Sequence, residues 1–351
     1  MVVMVRRIVG LALCGLFVMG CSSGTPEVAE PGDTVRLLAH DSFLLSEDVL
    51  ASFTQATGID VEVLSGGDAG SMVAGAVLAA GAPTADVLFG ADNTLVQKAI
   101  DAGVFEPYTA IGRDQIIPAI ASYLDTDAVT PIDFGDVCIN IDDAWFARTG
   151  IAPPTSLEEL TTPTYRDLLV VQDPATSSPG LAFLLATISR FGDSWTDYWS
   201  ALRDNGVKVA GSWTDAYYSD FTPAGGDRPL VVSYATSPPA EIVFAEGTPP
   251  TRPSTSVLTD GCYRQIEYAG VLAGAQNPQG ARLLIDRLLS TPVQEDIPLN
   301  MFVFPARSDA ALPQVFTDFA AQVEDPEQIP AQEIAGNLDD WLARWGEILG
   351  R

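Results

Sequence analysis

The chain has 351 residues, 47% apolar and 18% charged, with a formal net charge of −28. That apolar content supports a large buried core and excludes disorder as the class, and the length allows two lobes of ordinary size. Lys98 and Lys208 are the only lysines, so the chain lacks the basic surface that binds nucleic-acid phosphates; its acidity attracts cations at long range and helps keep an exported protein soluble.

The first element is a leader. Arg6 and Arg7 precede an apolar run, Ile8 to Met19, that ends in Val18-Met19-Gly20-Cys21. A charged start, a short apolar stretch and a small residue before the cut describe a secretory signal. A Cys directly after Gly20 makes it a lipoprotein signal. Residues 1–20 would be removed, and Cys21 would become the lipidated first residue of an extracytoplasmic protein tethered to the membrane. The run is too short for a span of ~20 residues, and no later segment is long and apolar enough for one. Residues 21–33 carry Pro26, Pro31 and Gly32 among small and acidic residues and read as a flexible tether.

From Thr34 the pattern alternates strand and helix. Val35 to Ala39 is an apolar strand. Ser46 caps a helix with Glu47 and Asp48 in its first turn, Val49, Leu50 and Phe53 on one face and Gly58 at its end. Ile59 to Leu64 is a strand, Ser71 to Ala80 a helix, Ala85 to Phe89 a strand and Thr94 to Ala102 a helix. Val137 to Ile141, Leu168 to Gln172 and Leu230 to Tyr234 are strands of a second unit. Leu181 to Arg190, Trp195 to Asp204 and Thr214 to Phe221 are its helices. Pro278 to Leu289 and Asp339 to Leu349 are later helices. Such alternation predicts an α/β fold with a mostly parallel sheet. The cysteines are Cys14, Cys21, Cys138 and Cys262. With Cys14 removed and Cys21 lipidated, Cys138 and Cys262 remain as an isolated pair in an oxidising compartment, and a disulfide is expected. Two distant thiols and the single His40 lack metal-ligand spacing, so no metal site is expected.

Two α/β lobes behind a lipid anchor suggest a solute-binding protein, with the ligand beyond the carboxyl ends of strands that face each other across a cleft. Closure on ligand is then a hinge motion. Lobe 1 would comprise residues 34–128 and 268–308 and lobe 2 residues 129–267 and 309–351, with strands near 129 and 268 crossing between them.

Six segments occur in order: His40-Asp41-Ser42-Phe43, Asp68-Ala69-Gly70-Ser71, Ala85-Asp86-Val87-Leu88-Phe89-Gly90-Ala91-Asp92-Asn93, Gln172-Asp173-Pro174-Ala175-Thr176-Ser177-Ser178-Pro179-Gly180, Ser212-Trp213-Thr214-Asp215-Ala216-Tyr217 and Ser233-Tyr234-Ala235-Thr236-Ser237-Pro238. Their order and spacing, from about Val35 to Pro305, resemble the thiamine-binding periplasmic proteins of bacterial ABC importers. The resemblance implies a type II, two-lobe periplasmic-binding-protein fold. It implies a receptor, not an enzyme, that needs no cofactor and binds thiamine or a thiamine phosphate as a monomer, then delivers it to an ABC permease and its ATPase. Asp68 matches the family's carboxylate at the ligand, Asp92-Asn93 its Asp-Asn pair, Ser177 the serine at the phosphate end, and Trp213 and Tyr234 its pocket aromatics. Phe302 falls where the family has a stacking Trp. Asp41, Ser42 and Tyr217 complete the expected site. His40 replaces a family tyrosine, Ala69 a glycine and Ala240 a pocket tyrosine, and the stretch from Ser42 to Val49 lacks the family's Trp. These departures predict a less aromatic pocket.

The chemistry agrees with the assignment. A thiazolium cation calls for a carboxylate or an aromatic face, a flat aminopyrimidine for stacking and a phosphorylated arm for free amides at a helix start. Three alternatives compete. A ferric-ion receptor of the same fold could use His40, Asp68 and Tyr217-Tyr218, but the iron family's tyrosine pair lies at the end of the strand that ends here in Tyr234, and Ala235 breaks it. Tyr217 and Tyr218 would diverge by ~100° on a helix. A polyamine receptor would suit the acidic charge. A hydrolase triad of Ser177, His40 and an Asp lacks the Gly-x-Ser-x-Gly elbow.

Overall fold

The computed structural model describes residues 32–351. The expected signal peptide, the expected lipidation site Cys21 and the expected tether up to Pro31 lie outside the described residues. The end of the tether is held: Gly32 N donates to Asn277 Oδ1 at 3.1 Å, and Asn277 Nδ2 donates back to Gly32 O at 3.1 Å. Gly32 is therefore already tied to the fold.

Among the described residues the ten strands are β1 (Thr34–Ala39), β2 (Asp60–Ser65), β3 (Val87–Asp92), β4 (Phe105–Glu106), β5 (Thr130–Asp142), β6 (Leu169–Gln172), β7 (Lys208–Ala210), β8 (Leu230–Tyr234), β9 (Thr255–Leu272) and β10 (Phe304–Pro305). They form one curled sheet in the order β2-β1-β3-β9-β5-β8-β6-β7, with β4 added to β9 and β10 to β5. Within the trios β2-β1-β3 and β8-β6-β7 the pairing is parallel, as the strand–helix alternation predicts. The centre corrects that expectation. β5 and β9 run antiparallel to each other and to their neighbours β8 and β3. They are long strands that pass from one trio to the other, so no helical crossover separates them. The expected boundary at 128/129 falls just before β5, and the one at 267/268 falls inside β9.

The central helix is Ser178–Phe191, and every residue from Ser178 to Thr187 is buried. Its sequence, Ser-Pro-Gly-Leu-Ala-Phe-Leu-Leu-Ala-Thr, has no charged face to give to water, so it packs on all sides. Gly180 is required there: a Cβ would meet the Gln172 carbonyl oxygen at 2.7 Å. The final helix runs Ala331–Leu349, longer than its predicted second half. Trp345 meets Trp199 edge-on at 5.6 Å, and Asp339 pairs with Lys98 at 2.8 Å.

The expected disulfide is present between Cys138 of β5 and Cys262 of β9, with Cα atoms 4.5 Å apart. It sits where the pairing register slips, between Val137↔Tyr263 and Ile139↔Leu258. Residues 259–262 bulge out opposite Cys138. Gly261 carries φ +72 in that bulge, and a Cβ there would meet Leu157 Cδ1 at 2.4 Å.

Candidate functional site

A cavity of about 400 Å³ lies at the carboxyl ends of the strands, within the size range of small-molecule sites. The segments leaving β1, β2, β7 and β8 supply much of its wall. His40, Asp41, Ser42, Asp68, Ala69, Trp213, Tyr217, Tyr234 and Phe302 all border it. Asp92, Asn93 and Ser177 do not.

Asp68 takes the N-cap position of the helix Ala69–Leu78, but its side chain makes no cap bond. Its oxygens reach across the cavity. Oδ1 accepts from Ser178 N at 3.2 Å and Oδ2 from Trp213 N at 3.0 Å. The chain segments come into direct contact here: Ser71 N donates to Thr176 O at 3.2 Å, and a Cβ on Gly70 would meet that oxygen at 2.5 Å. Burial raises the Asp68 carboxyl above its ordinary value, opposed by the Trp213 amide, the Ser177 hydroxyl and the Ser178 amide.

Ser177 holds the N-cap position of the central helix with no side-chain cap bond. Its hydroxyl is fully buried and lies beside the Asp68 carboxyl, whose proton affinity it lowers. The amide after it already serves Asp68. Ser178 Oγ turns to Asp92, which also accepts from Thr94 N at 2.9 Å and Gln265 Nε2 at 2.8 Å. Burial lifts Asp92 to about 6. Asn93 bonds the β9 backbone, donating to Arg264 O at 3.0 Å and accepting from Ile266 N at 2.9 Å. Both residues thus form the buried ground behind the cavity.

His40 packs over Gly90, where a Cβ would meet its Cδ2 at 2.4 Å and φ is +93; a side chain on β3 would displace the ring. His40 Nε2 lies 3.3 Å from Glu267 Oε1. Burial acts to lower the imidazole, but the charge and hydrogen bond of Glu267 outweigh it and raise it. Burial acts to raise Glu267, and His40 brings it below its usual value. Asp133 is forced well above the carboxylate range by burial and by Glu267 beside it. Proton affinity is thus raised at His40 and Asp133 and lowered at the Glu267 between them.

The aromatic wall is built after β7. Ser212 caps one helical turn, Trp213–Asp215, by accepting from Asp215 N at 3.1 Å. A wide π turn follows, Ala216–Asp220, in place of the regular helix expected through Phe221. Such turns recur at functional sites. Here both Tyr217 and Tyr218 face the cavity. Tyr217 stacks on Trp213 at 5.1 Å and 18°, while the Tyr217 and Tyr218 rings stand at 80° to each other. Trp213 Nε1 donates to Ser233 Oγ at 3.0 Å. Phe302 holds a left-handed backbone at φ +55, a strained conformation for a bulky residue and a mark of functional sites.

Gln265 and Glu267 also border the cavity. They lie in mid-strand, outside every motif. The readable signal is polar residues two apart flanking buried Ile266, which places both on one face of β9.

A curled two-lobe sheet with such a cavity in its cleft defines a type II periplasmic binding protein, a receptor for a small solute. A model of the bacterial extracellular solute-binding protein family matches residues 82–331, and the chain belongs to that family. The thiamine-binding periplasmic protein of Brucella suis biovar 1 (strain 1330) is 29% identical over 346 residues, covering 97% of this chain and 98% of that relative. A solved structure titled periplasmic thiamin binding protein superposes with a TM-score of 0.80 at 24% identity, covering 91% and 96% of the two chains. The ferric binding protein from Campylobacter jejuni follows the same fold, with a TM-score of 0.70 at 17% identity over 90% of this chain and 99% of that one. The family places the protein outside the cytoplasm and makes it a solute-binding protein.

Proposed function

We propose that the protein binds thiamine and hands it to an ABC permease, held at the membrane through lipidated Cys21. The observation that carries this reading is the composition of the cavity wall. Asp41, Asp68 and Glu267 border it together with Trp213, Tyr217, Tyr234 and Phe302, and no Lys or Arg is among its lining residues. That wall suits a flat, cationic ligand. Aromatic faces take the pyrimidine and thiazolium rings, and carboxylates complement the charge.

The same wall favours free thiamine over its phosphates. A pyrophosphate would meet carboxylates with no Lys or Arg to offset them. The first amide of the central helix is bonded to Asp68, and Ser177 lies off the wall. Ferric ion is disfavoured because Ala235 follows Tyr234, which breaks the tyrosine pair an iron receptor carries at that strand end. Among the described residues, no group of three or more His, Cys, Asp or Glu side chains could hold a metal.

Calorimetry of protein purified without refolding tests the assignment against thiamine, thiamine pyrophosphate, spermidine and ferric citrate. Thiamine should bind most tightly. Tight iron or spermidine binding with no heat from thiamine would overturn the reading.

A further inference from the structure

We propose that Gln265 reads the ligand's ring edge: its Oε1 accepts a hydrogen bond from an amino group on the flat ring of the bound solute. This rests on the thiamine reading above, in which that group is the exocyclic amine of the aminopyrimidine.

Gln265 borders the cavity yet is only 1% exposed. Above about pH 6, where Asp92 is ionised, its amide has one possible orientation. Nε2 donates to Asp92 Oδ2 at 2.8 Å and also to Ser178 Oγ. An ionised carboxylate only accepts, so the nitrogen must face Asp92 and the oxygen must face away. Ser178 Oγ donates its own proton to Asp92, which leaves it an acceptor toward Gln265. Both partners therefore agree on the amide's direction.

Oε1 has no hydrogen-bond donor among the described residues. A buried carbonyl oxygen without a donor is unfavourable, and the nearby wall does not supply one. Glu267, two residues along the same strand face, presents a carboxylate. Asp68 is an acceptor whose oxygens are already bonded to amides. A rigid acceptor in such a wall selects an N–H donor. An analogue with a carbonyl at the same ring position would set oxygen against oxygen, and the amide cannot turn over without losing Asp92. A site built around a hydrogen bond discriminates strongly against analogues that lack the matching group.

The test is calorimetry with thiamine and with oxythiamine, whose pyrimidine carries oxygen in place of the amine. Wild type should favour thiamine by about tenfold or more, the scale of one buried hydrogen bond. Gln265→Leu should weaken thiamine by a similar factor, leave oxythiamine nearly unchanged and so collapse the preference. A folded Gln265→Leu protein that keeps the wild-type preference overturns the inference. Gln265→Met serves if the leucine variant does not fold. Should neither fold, the wild-type ratio decides, and equal affinities overturn it. Absence of binding of either compound by wild type is a distinct failure: it removes the thiamine reading and the assignment of Gln265 with it.

Discussion

Asp68 accepts a hydrogen bond from the Trp213 amide at 3.0 Å, although one residue follows β2 and the other β7, the two opposite ends of the sheet order. The sheet curls far enough for its outermost strands to be joined through a single carboxylate. The bonds from Ser178 and Trp213 are charge-assisted, and together they hold the cavity walls to one another without a ligand.

Asp68→Ala removes both bonds and a cation partner. Hydrogen bonds to a charged group contribute about 1.5–3 kcal/mol each, so thiamine affinity should fall by tenfold or more. Small-angle scattering of the ligand-free variant should show a larger radius of gyration than wild type. An unchanged radius would assign Asp68 to ligand contact alone.

Trp213→Ala removes the face on which Tyr217 stacks and the bond to Ser233. By analogy with base–aromatic stacking, the loss should be about 1–3 kcal/mol in thiamine binding. Trp213→Phe keeps a face and should recover part of it. Titration calorimetry on both variants separates the stacking from the indole bond.

Asp92 makes stability depend on pH. Its folded value, raised by burial to about 6, lies above that of the unfolded chain. The native state therefore binds the proton more tightly. Stability is highest below about pH 4 in this contribution and falls as pH rises through 6, by on the order of 3 kcal/mol. Asp133 is raised in the same sense. Urea denaturation of ligand-free protein at pH 4, 5, 6 and 7 should show this decline. Asp92→Asn should make it shallower while Asp133 leaves a remainder; an unaltered slope would refute the role of Asp92.

The Cys138–Cys262 bond closes a separation of 124 residues. Cys138→Ser, Cys262→Ser or full reduction should lower stability by about 2–4 kcal/mol, read as an earlier urea midpoint. Thiol alkylation without reductant should label neither cysteine in wild type.

Much of this arrangement is legible in the chain. Leu230–Tyr234 and Trp195–Asp204 occur as their apolar patterns predict, and the ordered motifs point to the carboxyl ends of the strands. What escapes is long-range. β9 mixes polar and apolar residues and carries a Gly-containing bulge, so its full length does not read as a strand, and Gln265 and Glu267 are hidden with it. Asp92 and Asn93 have the right residue types in the right order. Their side chains turn inward because Ser178, Gln265 and the β9 backbone need partners there. Local pattern cannot distinguish a carboxylate that faces solute from one that supports the wall behind it. Ser177 shows the same limit, since its place as a helix-capping residue is visible in the chain while the bond that the Ser178 amide donates to Asp68 is not.

The bulge at residues 259–262 gives the two central strands a dependence on where the protein is. In a reducing cytosol Cys138 and Cys262 remain thiols, and the strands that join the two halves meet at a register slip with no covalent tie. That weak point lies in the middle of the sheet, so the reduced chain should unravel more readily than the oxidised one. Oxidation outside the cytoplasm joins β5 to β9, and the protein reaches full strength only there.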